Sequence, residues 1–221
     1  MKRVIGFLVG MVLGVNAVTL ALYFFPFAHE GRTAALLGRA EKADEVFTAR
    51  VLGDASAATH GGAFPFKPFP EGIPSLDDPN LASAFALIIK IRDAEDRVIG
   101  FGTELEVALP ESRLLFGRVM TDTYWTIVIP GRGTLFLHET EDNWNLVKDV
   151  YLPMLTSGRD WSGEWINVNT IGPRDDWHGV VVGGTGEFAG KTGRFLEVGT
   201  LRSATRDGAL GGILELRLFF N

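Results

Sequence analysis

The sequence contains no cysteine, and this absence removes several classes of function. Without a thiol the chain forms no disulfide, no thiolate metal site and no cysteine nucleophile. An excess of basic residues is also missing, because 21 lysines and arginines stand against 27 aspartates and glutamates, a net charge of −6. Proteins that bind nucleic acid need a basic face to neutralise phosphates, so we expect no nucleic-acid partner.

A recognisable catalytic motif is missing as well. No nucleophile lies beside a base in the sequence, and no phosphate-binding loop is present. His138 lies close to Glu139 and Glu141, but side chains alternate along a strand, so His138 would face away from both carboxylates. We therefore predict no metal and no cofactor, and the sequence favours a protein without enzymatic activity.

One long uncharged run follows Lys2 and Arg3. At about 1.5 Å per residue, a helix over residues 4–25 reaches roughly 33 Å, enough to cross a hydrocarbon core of about 30 Å. We predict that residues 1–28 form a single transmembrane anchor, with its N-terminus in the cytoplasm and the rest of the chain in the periplasm or another extracytoplasmic space. The alternative is a signal peptide cleaved near Ala17, but the apolar run continues well beyond that residue.

Gly6, Gly10 and Gly14 recur every four residues in this run, so they share one face of the predicted helix. Such a face lets a second helix approach closely. We predict that it packs against an integral membrane protein partner, although glycine is also simply common in membrane helices.

Residues 29–80 read as a connection between the anchor and a domain. Apolar residues at helical spacing predict an amphipathic helix over residues 32–52, which serves as a spacer or docks onto a partner or the lipid surface. Five prolines between residues 53 and 80 indicate an extended linker. Phe64, Phe66 and Phe69 alternate with these prolines, and we expect them to dock onto the domain or a partner.

Residues 81–221 change to a period of two, which is typical of strands separated by turns. The predicted strands are residues 85–92, 98–109, 113–129, 133–141, 165–169, 179–182, 193–203 and 211–220. Eight such strands predict a mainly β fold, an eight-stranded antiparallel barrel of the calycin-like kind, because closure removes the sheet edges. The less regular residues 142–163 would form a loop or short helix over one mouth.

The alternation also predicts which side chains face inward. On residues 98–109 we expect Leu105 and Val107 in the core and Glu104 and Glu106 outside. The last strand places Leu214, Leu216, Leu218 and Phe220 inside. Arg118, Met120, Asp122 and Tyr124 share one face of another strand and would form a polar interior patch for acid–base work if they point inward. We expect them to face solvent, with Val119, Thr121 and Thr123 inside.

The five tryptophans present a second choice, since they either line a ligand cavity or fill the barrel and its mouth. They are Trp125, Trp144, Trp161, Trp165 and Trp177.

The most specific motif is the glycine-rich stretch at residues 183–193. Its defining residues are Gly183, Gly184, Thr185, Gly186, Phe188, Gly190 and Gly193. A dinucleotide fingerprint would need a helix next, but Gly190 and Gly193 oppose one and residues 195–201 read as a strand. The glycines are therefore interpreted as turn and close-packing residues.

This stretch resembles the Gly-Gly-Thr-Gly-x-Phe-x-Gly-x-x-Gly signature of the allene oxide cyclase and dirigent barrel superfamily, where it precedes the last two strands. The resemblance implies an eight-stranded antiparallel barrel around a hydrophobic cavity, used to cyclise unsaturated epoxides or to guide phenol coupling. It implies no catalytic carboxylate or arginine by position, so the catalytic residues stay unknown, and it does not extend to residues 1–80.

Two functional hypotheses follow. In the first, the chain is an accessory or structural subunit of a larger membrane protein complex, held there by its glycine-faced helix. In the second, the barrel binds a hydrophobic small molecule or steers its cyclisation as an allene oxide cyclase-like isomerase. We favour the first, because the glycine face and the aromatic linker need a partner whereas no residue set requires a reaction.

Overall fold

A computed structural model describes residues 2–24, 27–39, 41–63 and 72–221. Phe64, Phe66 and Phe69, the predicted docking residues, lie outside the described residues. The helices are α1 (Lys2–Phe24), α2 (Phe27–Leu37), α3 (Val51–Asp54) and α4, a segment made of Trp144–Leu146, Val147–Tyr151 and Leu152–Ser157. The strands are β1 (Glu45–Arg50), β2 (Ala55–His60), β3 (Ala84–Arg92), β4 (Val98–Ala108), β5 (Met120–Ile129), β6 (Gly133–Asp142), β7 (Trp161–Val168), β8 (Thr170–Gly172), β9 (Gly179–Gly184), β10 (Gly193–Ala204) and β11 (Leu210–Phe220).

Helix α1 is long and apolar enough over Lys2–Leu20 to cross a membrane. The predicted N-terminal apolar helix is therefore confirmed. Apart from the adjacent backbone of α1, no described atom lies within 4 Å of where a Cβ on Gly6, Gly10 or Gly14 would stand. The predicted helix-packing face is thus open in the isolated chain, and its partner stays a prediction.

Eight strand positions close into an antiparallel barrel, as the alternating pattern predicts. The order around the barrel is β1, β11, β10, β9, β6, β5, β4 and β3, and β1 returns to β3 through the pair Thr48 and Arg92. Three further strands extend it: β2 pairs with β3, β7 with β10 and β8 with β6. Closure satisfies backbone groups that an open sheet would leave unpaired at its edges.

The closure depends on a strand that is interrupted by a helical turn. β1 pairs with β11, α3 then shifts the chain, and β2 continues along β3. Asp54, at the end of α3, is buried and accepts hydrogen bonds from Arg92 Nε at 2.7 Å and Nη2 at 2.8 Å, and from the Arg50 backbone N–H at 2.9 Å. One carboxylate therefore fixes the turn between β1 and β2 onto β3.

These first strands correct part of the sequence prediction. The helix predicted over residues 32–52 is wrong beyond Leu37, because residues 45–50 form β1, and the predicted linker at 53–80 contains β2. The sheet therefore begins at Glu45, ahead of the boundary predicted at residue 81. Phe47 and Ala49 point into the core at a spacing of two, and pairing with β11 outweighs the helical spacing that they also fit.

A smaller correction concerns residues 113–129, which were predicted as one strand. The strand starts at Met120, and a short 3-10 turn occupies Leu114–Phe116. The predicted short helix after β6 exists as α4. Its residues Val150 and Met154 pack on Trp165 and Leu201, so it covers the interior side of β7 and β10.

The barrel interior has two unlike halves. The half beside the β3–β4 and β5–β6 turns is filled by apolar side chains, including Ile91, Ile127, Leu135, Phe195 and Leu218, all at most 1% exposed. Towards the opposite ends of β4 and β6 the inward residues become polar. The candidate site lies in this polar half.

Candidate functional site

Five glutamates converge inside the polar half of the barrel. Glu104 and Glu106 project from β4, Glu139 and Glu141 from β6, and Glu197 from β10. Four of them are at most 5% exposed, and Glu106 is half-buried. Neighbouring strands set Glu106, Thr123 and Glu139 side by side, since β5 pairs with both β4 and β6. We call these five side chains the carboxyl cluster.

Glu197 is held from both of its oxygens. Trp125 Nε1 donates to Glu197 Oε2 at 3.1 Å, and Asn169 Nδ2 donates to Glu197 Oε1 at 3.0 Å. Donors on both oxygens favour the ionised carboxylate and fix its orientation. Burial nevertheless raises the pKa of Glu197, because the charged form loses its hydration.

Glu139 lies near Glu197, and its Oε1 is buried with no hydrogen-bond partner. The pKa of Glu139 rises well above the usual range, more strongly than that of Glu197. Burial and then the charge of Glu197 are the main causes of that rise. Thr170 completes the arrangement: its hydroxyl accepts from the Glu197 N–H at 2.7 Å and donates to Glu139 Oε2 at 2.5 Å.

Glu141 is only half satisfied. Asn143 Nδ2 donates to Glu141 Oε2 at 3.1 Å, whereas Oε1 of the same carboxylate is buried and has no hydrogen-bond partner. A buried acceptor without a donor costs about 1–3 kcal/mol relative to one that is paired. The carboxyl cluster thus contains an oxygen that a cation or a proton would stabilise.

The carboxyl groups of the cluster raise one another's pKa values. Burial first, and then the charge of Glu197, raises the pKa of Glu104 and Glu141 well above the usual range and that of Glu106 to about 8. The arginine and histidine ion pairs found among the described residues, such as Arg92–Asp54 and Arg132–Glu45, lie outside this cluster. The cluster therefore retains its protons to a higher pH than exposed glutamates do, unless a cation is present.

A polar chain connects the cluster to helix α2. Arg32 Nη2 donates to the Val168 carbonyl at 2.9 Å, and Thr33 Oγ1 donates to Asn167 Oδ1 at 3.0 Å. Asn167 Nδ2 donates in turn to Asn169 Oδ1 at 2.9 Å, and Asn169 donates to the cluster. The segment that follows the apolar helix is thereby tied to the inner polar half of the barrel.

The glycine-rich motif lies at the other end of β6. Gly186 has a φ of +60°, and a Cβ there would lie 2.3 Å from the Arg132 carbonyl oxygen. Phe188 is 2% exposed and packs in the apolar half, while the Thr185 N–H donates to the Thr134 carbonyl at 2.8 Å. These residues form a turn packed on the β5–β6 hairpin, and they do not contribute to the carboxyl cluster.

The other residues considered in the sequence analysis lie either on the outer surface or in the barrel interior. His138 faces away from Glu139 and Glu141, as predicted, and lies on the outer surface with its Nε2 2.7 Å from Asp122 Oδ1 and its ring stacked on Tyr124. Thr121 and Thr123 point inward, so the prediction that Arg118, Met120, Asp122 and Tyr124 lie outside is confirmed by their exposure. Of the tryptophans, Trp125, Trp144 and Trp165 are buried, Trp161 is half-buried and Trp177 is 44% exposed.

A second feature lies on the outside of the barrel. Large apolar side chains, between 41% and 59% exposed, cover the outer surface of β3, β4, β5, β6 and β9. They are Ile88, Phe101, Leu105, Val107, Tyr124, Phe136 and Val182. Few charges interrupt them, among them Lys90 and Asp122, and Asp122 is paired with His138. We call this surface the apolar outer face.

No protein-family model matches the chain, and a search of curated proteins finds no match.

The sequence predicted β4 with its faces reversed. Leu105 and Val107 are 52% and 46% exposed, whereas Glu104 is 5% exposed. The reason lies two residues earlier: a Cβ on Gly102 would stand 3.2 Å from Trp125 Cζ3, so Gly102 lies beneath the indole inside the barrel. Because strand side chains alternate, Glu104 and Glu106 must then point inward as well.

A usable signal for the cluster was present on β6. Leu135 and Leu137 are core residues, and Glu139 and Glu141 continue the same alternation. A strand whose inward positions change from leucine to glutamate halfway along predicts a barrel with a polar half. The change from leucine to glutamate is easily overlooked when Glu139 and Glu141 are compared only with the adjacent His138.

Proposed function

We propose that this chain is a single-pass membrane protein whose barrel lies in the periplasm or another extracytoplasmic space, as an accessory subunit of a larger membrane protein complex. The observation that carries the proposal is the apolar outer face, which is large and has few charges. Monomeric proteins rarely expose a contiguous apolar patch above a few hundred Å², and larger patches commonly mark protein interfaces.

Two further features support the same function. Apart from the backbone of α1 itself, no described residue lies within 4 Å of a Cβ built on Gly6, Gly10 or Gly14, which leaves room for a second helix in the membrane. Helix α2 is hydrogen-bonded to the barrel through Arg32 and Thr33, which limits how far the barrel can move from the helix that precedes it. A barrel held in this way presents a fixed surface to a neighbouring membrane protein.

The test is co-purification of the full chain in mild detergent after cross-linking. Leu105→Glu places a charge in the apolar outer face, and Ile166→Glu is the matched control, since it has a similar exposure of 49% on β7. We expect Leu105→Glu to reduce the recovered partner at least about tenfold, equivalent to 1.4 kcal/mol, while Ile166→Glu retains it. Equal recovery from both variants, or a chain that elutes alone, would contradict the proposal.

A second candidate is a barrel that binds a hydrophobic small molecule and protonates it, as the resemblance to allene oxide cyclase-like isomerases suggests. The carboxyl cluster favours it, because a half-buried carboxyl group such as Glu106, with its pKa raised to about 8, is a general acid at neutral pH. Native mass spectrometry of the detergent-solubilised chain tests this. We expect a retained lipophilic compound that Glu106→Gln leaves bound but unconverted, and no retained compound would exclude it.

A further inference from the structure

The carboxyl cluster contains three side chains arranged as the ligands of one metal ion. One oxygen each from Glu104, Glu141 and Glu197 lies within 4.8 Å of the other two. Each comes from a different strand, so strand pairing fixes their relative positions more firmly than a flexible loop would. All three are at least nine-tenths buried.

An acidic cluster alone does not define a site, and a second observation points to a ligand. Glu141 Oε1 is completely buried, belongs to this group of carboxylates and has no hydrogen-bond donor. A bound cation would supply the interaction that this oxygen lacks. It would also relieve the mutual repulsion of the ionised carboxylates.

The neighbouring residues hold the carboxylates in place. Trp125 and Asn169 donate to the two oxygens of Glu197, and Asn143 donates to Glu141. Hydrogen bonds of this kind orient metal ligands in proteins, and losing one weakens metal binding by about 10–100-fold. The arrangement therefore contains both ligands and the groups that position them.

The donor set selects the class of metal. Carboxylate oxygens prefer hard cations, and neither a thiolate nor an imidazole contributes, since the chain lacks cysteine and His138 faces outward. Mg²⁺ gives up its water molecules reluctantly and is seldom enclosed by protein ligands alone, whereas Ca²⁺ is commonly bound by several carboxylates. Three buried carboxylates within 4.8 Å of one another therefore favour Ca²⁺.

We propose that Glu104, Glu141 and Glu197 bind a Ca²⁺ ion inside the barrel. The proposal does not depend on the accessory role, because it concerns only the interior. Binding displaces the protons that the cluster otherwise carries, so the affinity for Ca²⁺ increases with pH.

Terbium luminescence tests the site directly, because Tb³⁺ replaces Ca²⁺ and is sensitised by a nearby tryptophan. Trp125 Nε1 is 3.1 Å from Glu197 Oε2, which places an indole beside the proposed ion. We expect the full chain, purified in non-ionic detergent with a chelator and then dialysed, to sensitise Tb³⁺ at pH 8. Ca²⁺ should displace the signal at lower concentration than Mg²⁺.

Glu104→Gln and Glu141→Gln each remove one ligand charge and keep the shape of the side chain, and Glu215→Gln on β11, outside the cluster, is the control. We expect the two cluster variants to bind Tb³⁺ and Ca²⁺ at least about tenfold more weakly, and the control to bind normally. Without metal, both cluster variants should melt at or above the wild-type temperature, because a source of repulsion is gone. Only the wild type and the control should gain thermal stability from Ca²⁺.

Three results would overturn the proposal. The first is a wild-type chain with no Ca²⁺-displaceable luminescence and no Ca²⁺-dependent rise in melting temperature. In the second, the cluster variants retain the wild-type signal, which means that Tb³⁺ binds elsewhere. The third is a preference for Mg²⁺ over Ca²⁺, which would mean that the carboxylates enclose a smaller ion.

Discussion

Replacing Asp54 by asparagine should destabilise the barrel at the turn between β1 and β2. Asp54 accepts two hydrogen bonds from Arg92 and one from the Arg50 backbone N–H, and its side chain is 1% exposed. Hydrogen bonds to a charged group contribute about 1.5–3 kcal/mol each, but asparagine retains one acceptor oxygen. We expect a net loss of about 2 kcal/mol, or about 4–8 °C in melting temperature for a domain of this size.

The stabilisation provided by Asp54 also depends on pH. The Arg92 hydrogen bonds hold the pKa of Asp54 below its ordinary value of about 3.9, so the unfolded chain takes up this proton first as the pH falls. The stabilisation is therefore complete above about pH 5, and it is lost as the pH decreases through the lowered folded pKa. The difference between wild type and Asp54→Asn should shrink over that acidic range.

The assay is thermal melting of the full chain in detergent, followed by tryptophan fluorescence between pH 3 and pH 7. Asp93→Asn is the control, because Asp93 pairs with Arg97, whose side chain is 71% exposed, and such pairs are screened by solvent. A change for Asp54→Asn no larger than that for Asp93→Asn would refute the reasoning. So would a difference from wild type that stays constant down to pH 3.

Three further changes probe other parts of the molecule. Burial lowers the pKa of His178 below its ordinary value of about 6.5, so its contribution to stability is intact above that value and decreases as the pH falls below it. In His178→Gln the melting temperature should therefore depend less on pH between pH 7 and pH 5. Gly186→Ala should lower the melting temperature more than Gly190→Ala, because both have positive φ but only the first meets the Arg132 carbonyl. Gly10→Leu should leave the melting of the barrel unchanged and should reduce recovery of a membrane partner in the same co-purification.

The barrel was predictable where one face of a strand is uniformly apolar. Leu214, Leu216 and Leu218 alternate with Glu215 and Arg217, and this pattern indicates β11 from the sequence. β1 was hidden because its six residues also fit a helical spacing, and only pairing with β11 makes them a strand. A segment whose conformation depends on a partner about 170 residues away carries little local signal.

The carboxyl cluster was harder to predict for a different reason. Amphipathic reasoning assigns glutamates to solvent, and a barrel that buries them violates that expectation. Gly102 and the leucines of β6 indicate which faces of β4 and β6 point inward, but this assignment requires the position of Trp125. Buried charge is a departure from the folding pattern, and such departures commonly occur at functional sites.

The interrupted strand β1–α3–β2 has a consequence for how the chain folds. β3 to β6 are neighbours in both sequence and space, so these hairpins depend on local contacts and we expect them to form early. β1 is made long before its partner β11, and Phe47 stays without its neighbour Leu216 until the last strand is complete. We therefore expect the sheet to stay open until β11 pairs with β1, so a chain cut short within β11 would leave β1 without its partner and exposed to aggregation.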